Sequence, residues 1–295
     1  MNISEAINKY QDYLTIERGL SNDTIQAYIN DLVIFNSYFE LNDTLEYNEF
    51  IVNDFVALQS QEGKSASTIN RRVSSVMNFL RFLELEGEVK GTFTNVIKPK
   101  IPKRQPVYLS IEQVEDLLNA PDLTTDGGIR DRAMLEIMYA SGLRVSELMV
   151  LKFSNLLKNE AFPLLKIRGK GGKERIIPYG EFAAEYLNKY LQEVRVKNRF
   201  ARKTNIVFIN DKGEPFTRQF FFKRIKFYAK KVGIEENISP HTLRHSFATH
   251  LLDQGMAINT LQKLLGHENL STTQIYTHVS RQRVKSAYKL AIGED

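Results

Sequence analysis

No helix or strand can run through residues 96–107, Val-Ile-Lys-Pro-Lys-Ile-Pro-Lys-Arg-Gln-Pro-Val. Each proline fixes φ and removes a backbone donor, and Pro99, Pro102 and Pro106 follow so closely that the segment reads as a stiff, extended linker. Directly after it, Ser110-Ile-Glu-Gln113 has the form of a capping box, with Leu109 and Val114 spaced as a hydrophobic staple, so a new helix starts there. The chain is therefore expected to fold as two bodies, residues 1–95 and 109–295, joined through 96–108. A length of 295 residues is enough for two such domains.

The first body reads as helical. Leu20-Ser-Asn-Asp-Thr24 offers N-cap chemistry, and Ile25, Tyr28, Ile29, Leu32, Phe35 and Phe39 follow at helical spacing. Ser65-Ala-Ser-Thr68 opens a second such run, from Ile69 to Leu83. The second body reads as helices with a small strand insert. Leu164–Arg168 and Arg175–Pro178 flank Gly169-Lys-Gly-Gly172, the pattern of a β-hairpin, and Ile206–Ile209 reads as a third short strand. The expected fold class is mostly α with a small antiparallel sheet.

Charge divides the chain at the same place. Residues 1–107 carry 11 Lys and Arg against 14 Asp and Glu, and the remainder carries 29 against 21. A basic second part, reached through a linker bearing Lys98, Lys100, Lys103 and Arg104, suits a polyanionic partner, of which nucleic acid is the commonest. In the acidic first part Arg71, Arg72 and Arg81 are exceptions; they fit a solvated face and a phosphate contact equally well. The absence of cysteine removes disulfides, thiolate zinc sites and thiol catalysis together. Met1-Asn-Ile-Ser-Glu-Ala lacks the basic-then-apolar pattern of a signal peptide, and no apolar run has the length of a membrane span. A cytoplasmic protein without membrane contact is expected.

All five histidines lie between His241 and His278. His241 and His245 share a helix face, but Arg244 stands between them and no carboxylate completes a ligand set, so no metal is expected. Gly169-Lys-Gly-Gly-Lys173 lies in a hairpin and lacks the spacing of a P-loop, and no Gly-x-Ser-x-Gly elbow supports a serine hydrolase. Phosphoryl transfer to a protein hydroxyl fits better. A helix presents His241 and Arg244 together, and Arg144 is followed three residues on by Glu147, whose carboxylate can orient it. Arginine pairs grip the non-bridging oxygens of a phosphodiester in bidentate fashion and stabilise the charge they gain at a five-coordinate phosphorus.

Tyr276 is the candidate nucleophile. A phenol with a pKa of ~10 needs a base or nearby cations; His241 or His267 suits the first role and the arginines the second. Lys170, among other cations, suits protonation of the leaving alkoxide. Taken singly, each of these residues has an ordinary explanation. Most of the thirteen tyrosines must be packing aromatics, and His245, His250 and His278 read as structural. The joint spacing favours chemistry.

The motifs resemble those of the tyrosine recombinases, the phage-integrase family, in particular the Xer type. Gly142-Leu-Arg144-Val-Ser-Glu147 resembles the first arginine box, and Gly169-Lys170-Gly-Gly-Lys-Glu-Arg175 the lysine hairpin. Ser239-Pro-His241-Thr-Leu-Arg244-His245 resembles the His-x-x-Arg box, and Leu264-Leu-Gly-His267 with Gln274-Ile-Tyr276 the last box and the nucleophile. The likeness extends over the whole chain. It implies a helical core-binding (SAM-like) DNA-binding domain in 1–95 and a catalytic domain in 109–295. It implies that Arg144, Lys170, His241, Arg244, His267 and Tyr276 are catalytic, with Glu147 supporting, and that a 3′-phosphotyrosyl link forms without a cofactor. Arg71, Arg72, Lys173 and Arg175 are expected DNA contacts.

The expected partners are a double-stranded recombination site and further subunits, the same chain or a paralogue, in a tetramer on two sites; a DNA translocase is a further candidate. Chromosome dimer resolution during segregation is the expected role. The alternatives are a mobile-element integrase, a type IB topoisomerase-like nicking-closing enzyme, and a non-catalytic DNA-binding protein on the same fold.

Overall fold

The computed structural model describes residues 1–89, 93, 95–102, 107–157, 162–169 and 174–266. The chain divides into two compact units, Met1–Arg104 and Gln105–Asp295.

The first unit is built on α1 (Ile3–Ile16), α2 (Asn22–Phe39), α3 (Glu49–Gln61) and α4 (Ala66–Leu85). Their starts follow the sequence signals: the Ser21 and Ser65 hydroxyls accept the backbone N–H of Thr24 and Thr68, satisfying donors that a helix leaves open at its first turn. Ile25, Leu32 and Phe35 of α2 face Ile69, Val73, Val76, Phe79 and Leu80 of α4 in one core. That core is largely aromatic, with Tyr10 and Phe79 centroids 5.1 Å apart and Phe35 meeting Phe55 edge-on at 5.0 Å, an arrangement favoured by the ring quadrupoles.

The proline-rich segment does not leave this unit at once. Asn53 Oδ1 accepts the N–H of Ile97 at 2.9 Å, and Asn70 Nδ2 donates to the Pro99 carbonyl at 3.0 Å. Its first residues therefore lie strapped along α3 and α4.

The second unit comprises α5 (Ile111–Asn119), α6 (Asp126–Ser141), α7 (Val145–Met149), β1 (Leu156–Leu157), β2 (Leu164–Arg168), β3 (Glu174–Pro178), α8 (Glu181–Lys189), α9 (Arg218–Lys231), α10 (Pro240–Asp253) and α11 (Ile258–Leu265). Ser110 and Gln113 form the expected capping box, and Leu109 and Val114 are both buried in the main core. α6 is the central helix, buried on nearly all sides, with α8 and α10 packed against it. Its buried charges are matched: Asp131 takes Arg130, Arg224 and the Tyr228 hydroxyl, while Arg132 is held by Glu136 and by the Leu118 carbonyl. Paired and hydrogen-bonded in this way, they avoid the cost of an isolated buried ion.

The sheet is antiparallel in the order β1-β2-β3, with Ile167 opposite Arg175 and Leu165 opposite Ile177. The expected hairpin is β2-β3. The third strand, however, is Leu156–Leu157, and Ile206–Ile209 forms only isolated bridges, to Lys152 and Pro215. Its carbonyls are occupied otherwise. Arg195, buried beneath it, donates to the carbonyls of Ala201, Thr204, Ile206 and Val207 at 2.8–3.2 Å. A guanidinium thus takes the place of a neighbouring strand.

The second unit begins anchored on α10. Leu109 donates its N–H to Ser246 Oγ and its carbonyl accepts from His250 Nε2, both at 2.9 Å.

Candidate active site

Two helix ends and one strand bring the described site residues together. α6 ends at Ser141, and Gly142 takes the left-handed cap at φ 57°. Any side chain there would collide with Phe247, since a Cβ would lie 2.5 Å from its ring. Two residues on, Arg144 opens α7. Its backbone N–H donates to Glu147 Oε2 at 2.8 Å, and its Nη1 donates to Oε1 at 3.2 Å. The i,i+3 geometry read from the sequence is thus present, and the Arg144 side chain stays 38% exposed.

α10 starts at Pro240, capped by Ser239, whose hydroxyl accepts from the Thr242 N–H. His241 and Arg244 lie on its first two turns, His241 exposed and Arg244 half-buried. Leu243, Phe247 and Leu251 point into the core. Arg244 is held entirely by carbonyls: Nη1 donates to Gly142 at the end of α6, and Nη2 to Leu265 at the end of α11 at 2.7 Å. Helix C-termini carry open carbonyls and partial negative charge, so two of them form a cradle for this cation.

Arg175 differs from expectation. Its charge and place in the sequence suggest a DNA contact, but it is only 4% exposed. Nη1 and Nη2 grip Glu147 Oε1 and Oε2 at 2.9 and 2.6 Å, and Nε donates to the Leu264 carbonyl at 3.2 Å. Its guanidinium is spent inside the protein. Strand parity carried this signal: Arg175 and Ile177 share a face of β3, and both are buried while Ile176 is more exposed.

Among the described residues the cluster is short of anions. Arg144, Arg175 and Arg244 surround one carboxylate. Desolvation alone would raise the Glu147 pKa, but Arg175 and then Arg144 hold it below the ordinary glutamate value. Burial, then repulsion from Arg144 and Arg175, pushes the Arg244 guanidinium down to about 10, so it is still charged at neutral pH. A half-buried cation beside two others is a favourable place for an anionic ligand.

Lys170, Lys173, His267 and Tyr276 lie outside the described residues. His245 meets Tyr108 edge-on at 6.2 Å. His250 is buried between the Tyr139 hydroxyl and the Leu109 carbonyl, both at 2.9 Å, a packing role. In the first unit Arg71 is half-exposed and ion-paired with buried Asp31. Arg72 turns inward, its Nη1 2.5 Å from Gln59 Oε1. Among the described residues no helix is long and apolar enough to cross a membrane.

Comparison with known proteins finds matches over both units. Residues 7–87 match the phage integrase N-terminal SAM-like domain and residues 108–283 the phage integrase family. Tyrosine recombinase XerD of Listeria monocytogenes serotype 4b (strain F2365) is 44% identical, over 97% of this chain and 98% of that protein. Tyrosine recombinase XerD of Staphylococcus haemolyticus is 39% identical over 96% of each. Among solved structures, the XerH site-specific recombinase bound to difH substrate in a pre-cleavage complex is 26% identical, with a TM-score of 0.69, over 95% of this chain and 82% of that one. The post-cleavage XerH complex has a TM-score of 0.72 at 24% identity, over 96% and 84%, and so shares the fold. With both domains matched and near-complete coverage of its relatives, the chain belongs to the phage integrase family, the tyrosine recombinases.

Proposed function

We propose that the protein cleaves and rejoins double-stranded DNA at a specific site, with Tyr276 as nucleophile. The observation that carries this reading is the arginine cluster: three guanidiniums against one carboxylate, with the half-buried Arg244 making no ion pair among the described residues. A scissile phosphate supplies the missing negative charge. Arg144 and Arg244 hold its non-bridging oxygens and gain most as the phosphorus becomes five-coordinate.

The Tyr276 oxygen attacks phosphorus, and its proton passes to His241 or His267. The bond to the 5′ oxygen breaks, and Lys170 protonates that oxygen. The product is a 3′-phosphotyrosyl link and a 5′-hydroxyl. A 5′-hydroxyl of the partner strand then attacks the same phosphorus and expels the phenolate. One phosphodiester is exchanged for another, so no nucleotide cofactor is consumed.

Residues 1–95 act as the core-binding domain, 96–108 as the linker and 109–295 as the catalytic domain, with Arg71 and Lys173 as backbone contacts. The two XerH complexes, bound to difH before and after cleavage, and the XerD relatives support a duplex recombination site as the partner. They favour chromosome dimer resolution, by a tetramer of this chain or of this chain with a paralogue, over the movement of a mobile element or nicking-closing.

The test is a nicked suicide duplex carrying the sequence the protein selects from a randomised pool. The wild type is expected to form a covalent DNA adduct, and Tyr276→Phe to bind the duplex with equal affinity and form none. An adduct with Tyr276→Phe overturns the nucleophile; none with the wild type overturns the recombinase reading.

A further inference from the structure

We infer that Arg175 is a positioning residue: by saturating Glu147 it leaves the Arg144 guanidinium open toward the scissile phosphate. The inference rests on the recombinase reading for what Arg144 does, but the geometry stands by itself. A carboxylate offers about four lone-pair sites, and Glu147 receives four donors. Two come from Arg175, one to each oxygen, and two from Arg144, its backbone N–H and a single guanidinium N–H at 3.2 Å. Most of Arg144's fork is therefore uncommitted among the described residues, on a side chain 38% exposed, beside a carboxylate side chain only 12% exposed.

Without Arg175 that balance reverses. Glu147 loses two charge-assisted bonds in a poorly solvated place, where an unmet carboxylate is costly. The nearest cation with spare donors is Arg144. Rotating it into a bidentate pair restores the carboxylate and withdraws from the phosphate the group that should grip it. Lysine cannot replace Arg175, because a single ammonium cannot span both carboxylate oxygens and the Leu264 carbonyl in the plane that the fork occupies. Arg175 also joins three parts of the site. It is the second residue of β3, five positions after Lys170 in the sequence; it grips Glu147 of α7; and it caps the end of α11.

The experiment compares wild type, Arg175→Met, Arg175→Lys and Arg175→Met/Glu147→Gln on the nicked duplex described above, with unfolding midpoints measured for each. Arg175→Met is expected to lose about 100-fold in the rate of adduct formation, the scale of a misplacement near 1 Å. The slope of the salt dependence of duplex binding should fall by about one, because Arg144 leaves its phosphate, and should return in the double variant. Glu147→Gln in that background should recover about tenfold, one power of ten, because an amide does not draw Arg144 as an ion does.

A crystal structure of Arg175→Met, or of Arg175→Lys if the first does not fold, should show Arg144 swung onto Glu147. Three results overturn the inference: a salt slope that stays lower by about one in the double variant, which marks Arg175 itself as the lost phosphate contact; no recovery of the rate in the double variant; or Arg144 unmoved in the crystal. Absence of an adduct with wild type would count against the recombinase reading alone, and the crystal structure would still decide the role of Arg175.

Discussion

Gly142→Ala tests whether the end of α6 is shaped for the site. Two costs can be separated. At φ 57° an L-residue incurs about 1–2 kcal/mol against the left-handed region. The added Cβ would also stand 2.5 and 2.7 Å from two ring carbons of Phe247 and 3.1 Å from Leu265. Phe247 is almost fully buried and cannot swing away, so overpacking adds about 1–3 kcal/mol. The unfolded chain loses some freedom, which offsets about 0.4–1 kcal/mol. The net is about 3 kcal/mol, or about 6–12 °C in the melting of a unit this size.

Gly233→Ala is the control. It has a similar φ of 75° with nothing within 4 Å of a Cβ, so it incurs only the backbone cost, about 1 kcal/mol. The assay is thermal melting of both variants alongside suicide-substrate cleavage at a temperature where each is folded. Gly142→Ala should also cleave more slowly than its stability explains, because the Gly142 carbonyl holds Arg244. Equal melting shifts for the two variants would refute the steric argument, and full cleavage by folded Gly142→Ala would refute the link to Arg244.

Two further predictions concern the supporting structure. Arg195→Lys should destabilise the second unit by about 3 kcal/mol in urea unfolding, since an ammonium cannot serve four carbonyls that the buried fork serves together. His250 donates Nε2–H to Leu109 and is held neutral by burial, its pKa below the ordinary 6.5. The unfolded chain therefore takes up this proton first as pH falls. The contribution is complete above about pH 6.5 and is lost progressively below it, so unfolding free energy should decline from pH 7 to 5 and His250→Gln should flatten that slope.

The sequence was most readable where the physics is local. The helix starts at Ser21, Ser65 and Ser110 each depend on a hydroxyl three residues from the N–H it accepts, and four residues suffice to recognise them. The β2-β3 hairpin was legible because a glycine-rich loop between two alternating runs permits little else. Ile206–Ile209 misled for the complementary reason. A β-branched pattern specifies extended backbone but not its partner, and Arg195, eleven residues before Ile206, supplied the donors instead. Arg144 with Glu147 and His241 with Arg244 could be placed by helical spacing. Arg175 could not, because its charge argued for the surface and only strand parity argued for burial.

The least legible part of the site is also what makes it usable. A cluster of cations meant to receive a phosphate faces a conflict: carboxylates would hold the arginines firmly but would also neutralise them. Here the one carboxylate, Glu147, is taken chiefly by Arg175, while Arg244 is fixed by the carbonyls of Gly142 and Leu265. Carbonyl dipoles orient a guanidinium without cancelling its charge, so Arg244 is held in place while burial, then Arg144 and Arg175, lower its pKa. On the proposed function such a site is prepared before the ligand arrives, and its arginines need not reorganise as charge develops on phosphorus. These acceptors are backbone atoms at the ends of α6 and α11. Any residue type can supply a carbonyl, so the sequence names the arginines but not what aims them.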